Sequence, residues 1–333
     1  QVAQTAGWKL ICCALHPAEK QVVTYCGFQL IARGTPTEFD VQHLRALAMD
    51  TPTYYDLLLQ EVAHLKASLA HPPVGMTAPI HIGDMGAYTI DDATTYAFFT
   101  VEGAHAFCAD TDGSEPIDHV LQRLIGFRKE HGLAAVNLCH FQQHRFATPA
   151  YAFIYKKYKP SARLLFPTGT GITADGHRFI ETCHTHGVAV DLKHMGWSAR
   201  KEFYERYAGT RFIASHVGVT GLSWAKNASF GIIKWKKDGP GRVRVHYRKP
   251  AGALPDTLFA PCSLNLYDED IRAIIASVGI IGLSMDQRIL GAGEPLLSFD
   301  HVKKRDRELV SKEDFERYFR AKFNVADEVP DDE

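Results

Sequence analysis

Gly187-Val188-Ala189-Val190-Asp191-Leu192-Lys193-His194-Met195-Gly196-Trp197-Ser198, followed after a helical run by Arg211-Phe212-Ile213-Ala214-Ser215-His216, decides the reading of this chain. Each half is a nearly continuous apolar, β-branched-rich run, the pattern of a strand buried on both faces of a parallel sheet. Between them Ser198 is placed to cap a helix carrying Phe203, Tyr204 and Tyr207 at helical spacing. A strand–helix–strand unit with His194 and His216 just past its two strand ends puts both imidazoles on one rim of the sheet. That rim is where parallel α/β folds build their sites. Two histidines and a carboxylate form a zinc-type ligand set.

Working outward, the same grammar recurs. Strands are predicted near residues 8–15, 96–101, 133–138, 187–192, 211–215 and 279–285, separated by helical patterns, which argues a parallel sheet. Helices are predicted over 38–70 with a break at Pro52, from Pro116 to His131 with Gly132 behind it, from Thr173 or Asp175 to Cys183, and from Asp268. Residues 72–94 read as irregular. The loop 141–171 carries Tyr151, Tyr155 and Tyr158 as a wall over a site, and 222–260 reads as an inserted β-hairpin. The expected layout is one barrel over 1–299, then a charged C-terminal helix and acidic tail over 300–333.

With 333 residues and a net charge of −1, the chain offers no electrostatic case for nucleic acid or an anionic membrane. No apolar run approaches the roughly 20 residues of a membrane-spanning helix. Seven scattered cysteines do not read as a disulfide framework, so a reducing, cytoplasmic compartment is expected. Cys108 and Cys139 are expected to be buried small residues. Most of the 17 histidines are expected to be ordinary, including His184 and His186 at a helix end.

Glu102, His140, His194 and His216 stand at equivalent strand ends. Glu102, His194 and His216 then form a three-ligand set with an open position for water.

These residues also resemble the membrane (renal) dipeptidase family of zinc peptidases, a branch of the amidohydrolase-like barrels. The resemblance runs through Val101-Glu102-Gly103-Ala104-His105, Ala135-Val136-Asn137-Leu138-Cys139-His140, Gly171-Ile172-Thr173-Ala174-Asp175-Gly176, the Asp191-x-x-His194 and Ser215-His216 pair, and Asn265-Leu266-Tyr267-Asp268-Glu269-Asp270. It implies a (β/α)8 TIM-type barrel and hydrolysis of dipeptides by metal-activated water, with one or two zinc ions. Glu102 is then the metal-bridging carboxylate, His194 and His216 metal ligands, and His140 a substrate-binding imidazole. Asp286 is the candidate catalytic base.

Two of the family's motifs have no counterpart: the His-x-Asp of the first strand and the aspartate-rich end of the last. His81 and Asp84 are the nearest substitutes for the first, at the wrong spacing. Six strands against the usual eight suggest a barrel clipped at both ends, with exposed sheet edges. Poor folding or a homodimer is the expected consequence. Other amidohydrolase-type hydrolysis, or a non-catalytic barrel homologue, are the alternatives.

Overall fold

A computed structural model describes residues 10–20, 22, 52–70, 80–82, 95–110, 113–152, 160–221, 223, 232–247, 263–285 and 307–320. The chain divides into two compact units, residues 1–138 with 177–190, and residues 139–176 with 191–333.

The first unit is a parallel sheet covered by helices. Strand β1 (Leu10–Leu15) pairs in parallel with β3 (Thr95–Val101), which also pairs with β2 (Ile80–Ile82) and β4 (Leu133–Asn137). Strand β5 (Ala189–Asp191) follows β4 in the hydrogen-bonding order. Leu133, Val136, Phe99 and Val101 are fully or almost fully buried, as unbroken apolar runs require. The strand ends of β1 and β3 are level, because the Glu102 N–H donates to the Leu15 carbonyl at 2.8 Å.

Among the described residues, α1 (Tyr54–Ala70), α2 (Ile117–His131) and most of α3 (Ala174–Thr185) belong to this unit. The apolar face of α2 buries Val120, Leu121, Leu124 and Phe127 at helical spacing, and Phe127 meets Phe107 edge-on. As expected, Gly132 ends α2 in the left-handed conformation, φ +73°. Thr173 caps α3, its Oγ accepting from the Gly176 N–H at 3.0 Å.

In the second unit the chain leaving β5 runs beside β6 (Phe212–Val217), with Leu192 N–H donating to the Ile213 carbonyl. Strand β6 in turn pairs in parallel with β9 (Ile281–Leu283). Helix α4 (Trp197–Tyr207) connects β5 to β6 and buries Phe203 against Phe212, and α5 (Asp268–Ala276) precedes β9. A separate antiparallel sheet joins β7 (Ile232–Lys237), β8 (Arg242–Tyr247) and β10 (Arg307–Ser311), in the order β10-β8-β7. A helical turn, Lys312–Asp314, continues as Phe315–Arg320.

The six expected strands form, and the protein is a mixed α/β fold built on a parallel sheet. Several local expectations need correction. Residues 80–82 form a short strand in a region read as irregular, so His81 is a strand residue. Ser198 is not the cap of α4: the helix begins two residues earlier, with Gly196 at the cap and Ser198 buried inside it. The start is displaced because Gly196 is held against the backbone of Thr148, to whose carbonyl it donates at 2.9 Å. Strand β6 extends to Val217, so His216 lies within the strand rather than beyond it. Tyr151 is buried and stacked on Phe166 at 5.1 Å, a packing role rather than an open wall.

The hairpin expected in 222–260 is present as β7 and β8. Its third strand, β10, was not expected: the short run Arg307-Glu308-Leu309-Val310-Ser311 gains its pairing only from distant β8. No disulfide joins the five described cysteines, and Cys108 and Cys139 are buried as expected. Among the described residues no helix is long and apolar enough to cross a membrane. The helix expected over 38–50, Tyr155, Tyr158, Asp84 and Asp286 lie outside the described residues.

Candidate metal centre

Within the second unit three of the residues picked from the sequence come together. The rings of His140 and His194 lie 4.6 Å apart between centroids, nearly perpendicular at 83°. Those of His194 and His216 lie 5.5 Å apart, and their ligand nitrogens are within 4.8 Å of one another. His140 and His194 are buried, and Phe141 closes one side with its ring 5.2 Å from that of His194. Glu102 stands in the first unit, directly after Val101 at the end of β3.

Local backbone chemistry sets His194 in place. Asp191 ends β5, and its Oδ1 accepts from the N–H groups of Lys193 at 3.0 Å and Ser215 at 3.1 Å. That carboxylate ties the turn after β5 to the neighbouring strand β6. The turn closes with Met195 N–H donating to the Leu192 carbonyl, and His194 takes the left-handed conformation, φ +68°. A side chain larger than glycine costs about 1–2 kcal/mol there, a strain that clusters at functional sites. The His194 carbonyl accepts from the Ala150 N–H at 2.7 Å, which anchors the strained residue to the loop after β4.

His216 is aimed by a side-chain relay that the sequence reading did not assign. Ser215 Oγ lies 2.8 Å from His216 Nδ1, and the Ser215 side chain also hydrogen-bonds Asp191. A hydroxyl has one proton. With that proton given to the carboxylate, Ser215 Oγ accepts from His216 Nδ1–H, and Nε2 keeps the lone pair. Support of this kind fixes tautomer and ring direction behind a metal-binding imidazole. Burial raises the Asp191 carboxyl above its usual range, opposed by its bonds from Ser215 and Lys193 and by the nearby His216. The clue in the sequence was the pairing of Asp191-x-x-His194 with Ser215-His216.

The donor set fits a divalent ion: two neighbouring imidazoles, one with its lone pair fixed, and a third ring beside them. Lys193 is buried next to His194, and its Nζ reaches the Leu264 carbonyl at 3.2 Å.

No family model and no curated protein matches the chain. Solved structures do. One is a metallopeptidase from Rhodobacter sphaeroides liganded with a phosphinate mimic of the dipeptide L-Ala-D-Ala, at 13% identity and TM-score 0.48, covering 87% of this chain and 67% of that one. Another is dipeptidase AC, also a metallopeptidase, at 13% identity and TM-score 0.46, covering 84% and 62%. The probable dipeptidase PvdM from Pseudomonas aeruginosa has 13% identity and TM-score 0.42, covering 68% and 43%. This chain thus spans less than two thirds of the length of the last two. The solved structures to which it is similar include metallopeptidases, a probable dipeptidase and an amidohydrolase from Pseudomonas aeruginosa.

Proposed function

We propose that the protein is a metal-dependent hydrolase of dipeptidase type, with His194 and His216 as metal ligands and Glu102 as their carboxylate. The observation that carries the reading is the adjacency of His140, His194 and His216, with His216 aimed by Ser215 and Asp191. The choice of Glu102 rests on its position at the end of β3, and the dipeptide substrate on the sequence motifs around these residues.

A divalent ion, zinc by ligand type, supplies Lewis acidity and lowers the pKa of water to about 7. The chain's own residues do the rest. In this reading His140 holds a substrate oxygen beside His194, and the Phe141 ring next to both imidazoles limits water on that side. The Asp191–Ser215 pair holds His216 in one tautomer. The fold class that goes with this reading is the (β/α)8 barrel.

Dipeptide hydrolysis by the purified chain, with metal content measured on the same sample, tests the proposal. Activity lost on chelation, restored by zinc, and abolished in Glu102→Ala and His194→Ala is expected. A chain that holds no ion at His194 and His216, or that turns over esters or lactones and no dipeptide, overturns it. A phosphinate dipeptide mimic belongs in the assay as the inhibitor.

A further inference from the structure

We propose that the free edge of β9, with the turn before it, is the surface through which two copies of this chain pair across a two-fold axis. The proposal draws nothing from the ion assigned to His194 and His216.

Five of the eight exposed large apolar side chains among the described residues fall within residues 275–285. They are Ile275 near the end of α5, Val278 in the turn, Ile280, Leu283 and Met285, each between 63% and 89% exposed. The sequence from Ile274 to Met285 holds no charged residue and no proline. Edge strands commonly carry charges or proline, which keep them from pairing with another chain. This edge has neither.

The backbone offers a strand-shaped contact. Strand β9 pairs in parallel with β6 and with no other described strand. The Ala214 N–H donates to the Ile280 carbonyl, and the Ser284 N–H to the Val217 carbonyl, both at 2.9 Å. Alternate residues of a strand turn their backbone groups to opposite edges, so Ile281 and Leu283 direct theirs away from β6. An antiparallel two-fold through Gly282 sets Ile281 against Leu283 of the partner subunit, and such a pair exchanges both backbone hydrogen bonds. Gly282 has no side chain to hold the two backbones apart.

Val278 adds a second observation. It takes φ +56°, a left-handed conformation that a β-branched residue rarely adopts, and its side chain is exposed. Its N–H donates to the Ile275 carbonyl at 3.0 Å to close α5, and glycine is the usual residue at that position. A valine here strains the turn and leaves its own apolar surface in water. Burial of that side chain by a partner offsets the strain, and strain of this kind clusters at functional positions.

The area suits a second copy. A fully exposed side chain of this size presents roughly 100 Å², so the five present on the order of 400 Å² of apolar surface. A standard-size interface takes about 800 Å² from each partner, a little over half of it apolar. The patch supplies most of that apolar share. An uncharged patch does not repel its own copy, and it offers a charged partner nothing to pair with.

Sedimentation velocity of the full chain over a range of concentrations, with a thermal melt of each sample, tests the surface on wild type, Leu283→Lys and Val278→Gly. Wild type is expected to dimerise, and Leu283→Lys to weaken the dimer about 30-fold or more. Val278→Gly is expected to weaken it about 10-fold. Its dilute monomer should nevertheless melt higher than wild type, because glycine relieves the turn. Should Leu283→Lys fold poorly, Met285→Lys gives the same readout. A wild type that stays monomeric up to its solubility limit, or a dimer that Leu283→Lys leaves intact, overturns the proposal. So does a monomer that Leu283→Lys destabilises, which would assign the edge to another segment of the same chain. Open-ended assembly in place of a dimer would mean head-to-tail contacts and overturns the two-fold.

Discussion

Ser215 Oγ and His216 Nδ1, adjacent in sequence, are 2.8 Å apart, and the same Ser215 is bound to buried Asp191 on the strand beside it. One hydroxyl thus links the strand end of β5 to the imidazole on β6. Ser215→Ala removes the acceptor for Nδ1–H while leaving both ligand rings in place. Zinc affinity is expected to fall about 10–100-fold. Competition titration with a chromophoric chelator measures it, and Ser215→Thr should restore most of the loss. Equal affinity in wild type and Ser215→Ala would show that the hydroxyl does not orient the ring.

His194 stands at φ +68°, where glycine is at ease and other residues are not. His194→Gly is expected to melt higher than His194→Ala, by about 1 kcal/mol in unfolding free energy, while both lose the metal. Urea unfolding of the two metal-free variants checks this. An alanine variant as stable as the glycine one would mean the turn relaxes out of the left-handed region.

Arg200 and Asp270 form a buried ion pair at 3.0 Å, 2% and 0% exposed. Arg200 also donates to the Asn265 carbonyl, while Asp270 accepts from Tyr204 Oη and from the Tyr267 N–H. Burial raises the Asp270 carboxyl, and the Arg200 charge opposes it. Removing one partner strands the other charge: Arg200→Met is expected to cost about 3–5 kcal/mol. Replacing both with Arg200→Met/Asp270→Leu should recover part of that, read by denaturant midpoints. A single variant within about 1 kcal/mol of wild type would contradict a buried, structural pair.

Asp314 follows Ser311, whose Oγ caps the turn by accepting from the Asp314 N–H at 2.9 Å. Burial pushes its carboxyl up from 3.8 to about 6, with the nearby Ser311 and Ser198 hydroxyls working the other way. The folded chain therefore holds this proton more tightly than the unfolded chain. The associated stability is fully present below about pH 4 and is lost as pH rises through about 6. The swing is on the order of 3 kcal/mol at most. Asp314→Asn should flatten stability between pH 4 and pH 6.5, roughly the window between the two pKa values. An unchanged slope in the asparagine variant would assign it to other groups.

The positions of six strands were legible because each is an apolar run long enough to be buried on two faces, as in Leu133–Asn137 and Phe212–Val217. The strand-end histidines were legible for the same reason: once the strand is placed, the rim follows. Ile80–Ile82 and Arg307–Ser311 were missed, since three residues carry no period and Arg307-Glu308 reads as polar chain. Their partners are β3, the next strand in the chain, and β8, in the insertion, and only pairing makes them strands. Ser198 looked like a cap because caps are local chemistry, but contact of Gly196 with Thr148 and Pro149 moved the helix start.

Local patterning alone determined six of the strands and helices α1 to α5, and which imidazoles stand at or near strand ends. Tertiary structure decided what surrounds those imidazoles. The left-handed turn at His194 and the Asp191–Ser215–His216 relay both join residues whose relation is fixed by the pairing of strands. Hydrophobic periodicity is a property of consecutive residues and survives in the one-dimensional chain. The direction of a polar side chain depends on partners brought close only when the sheet closes its hydrogen bonds.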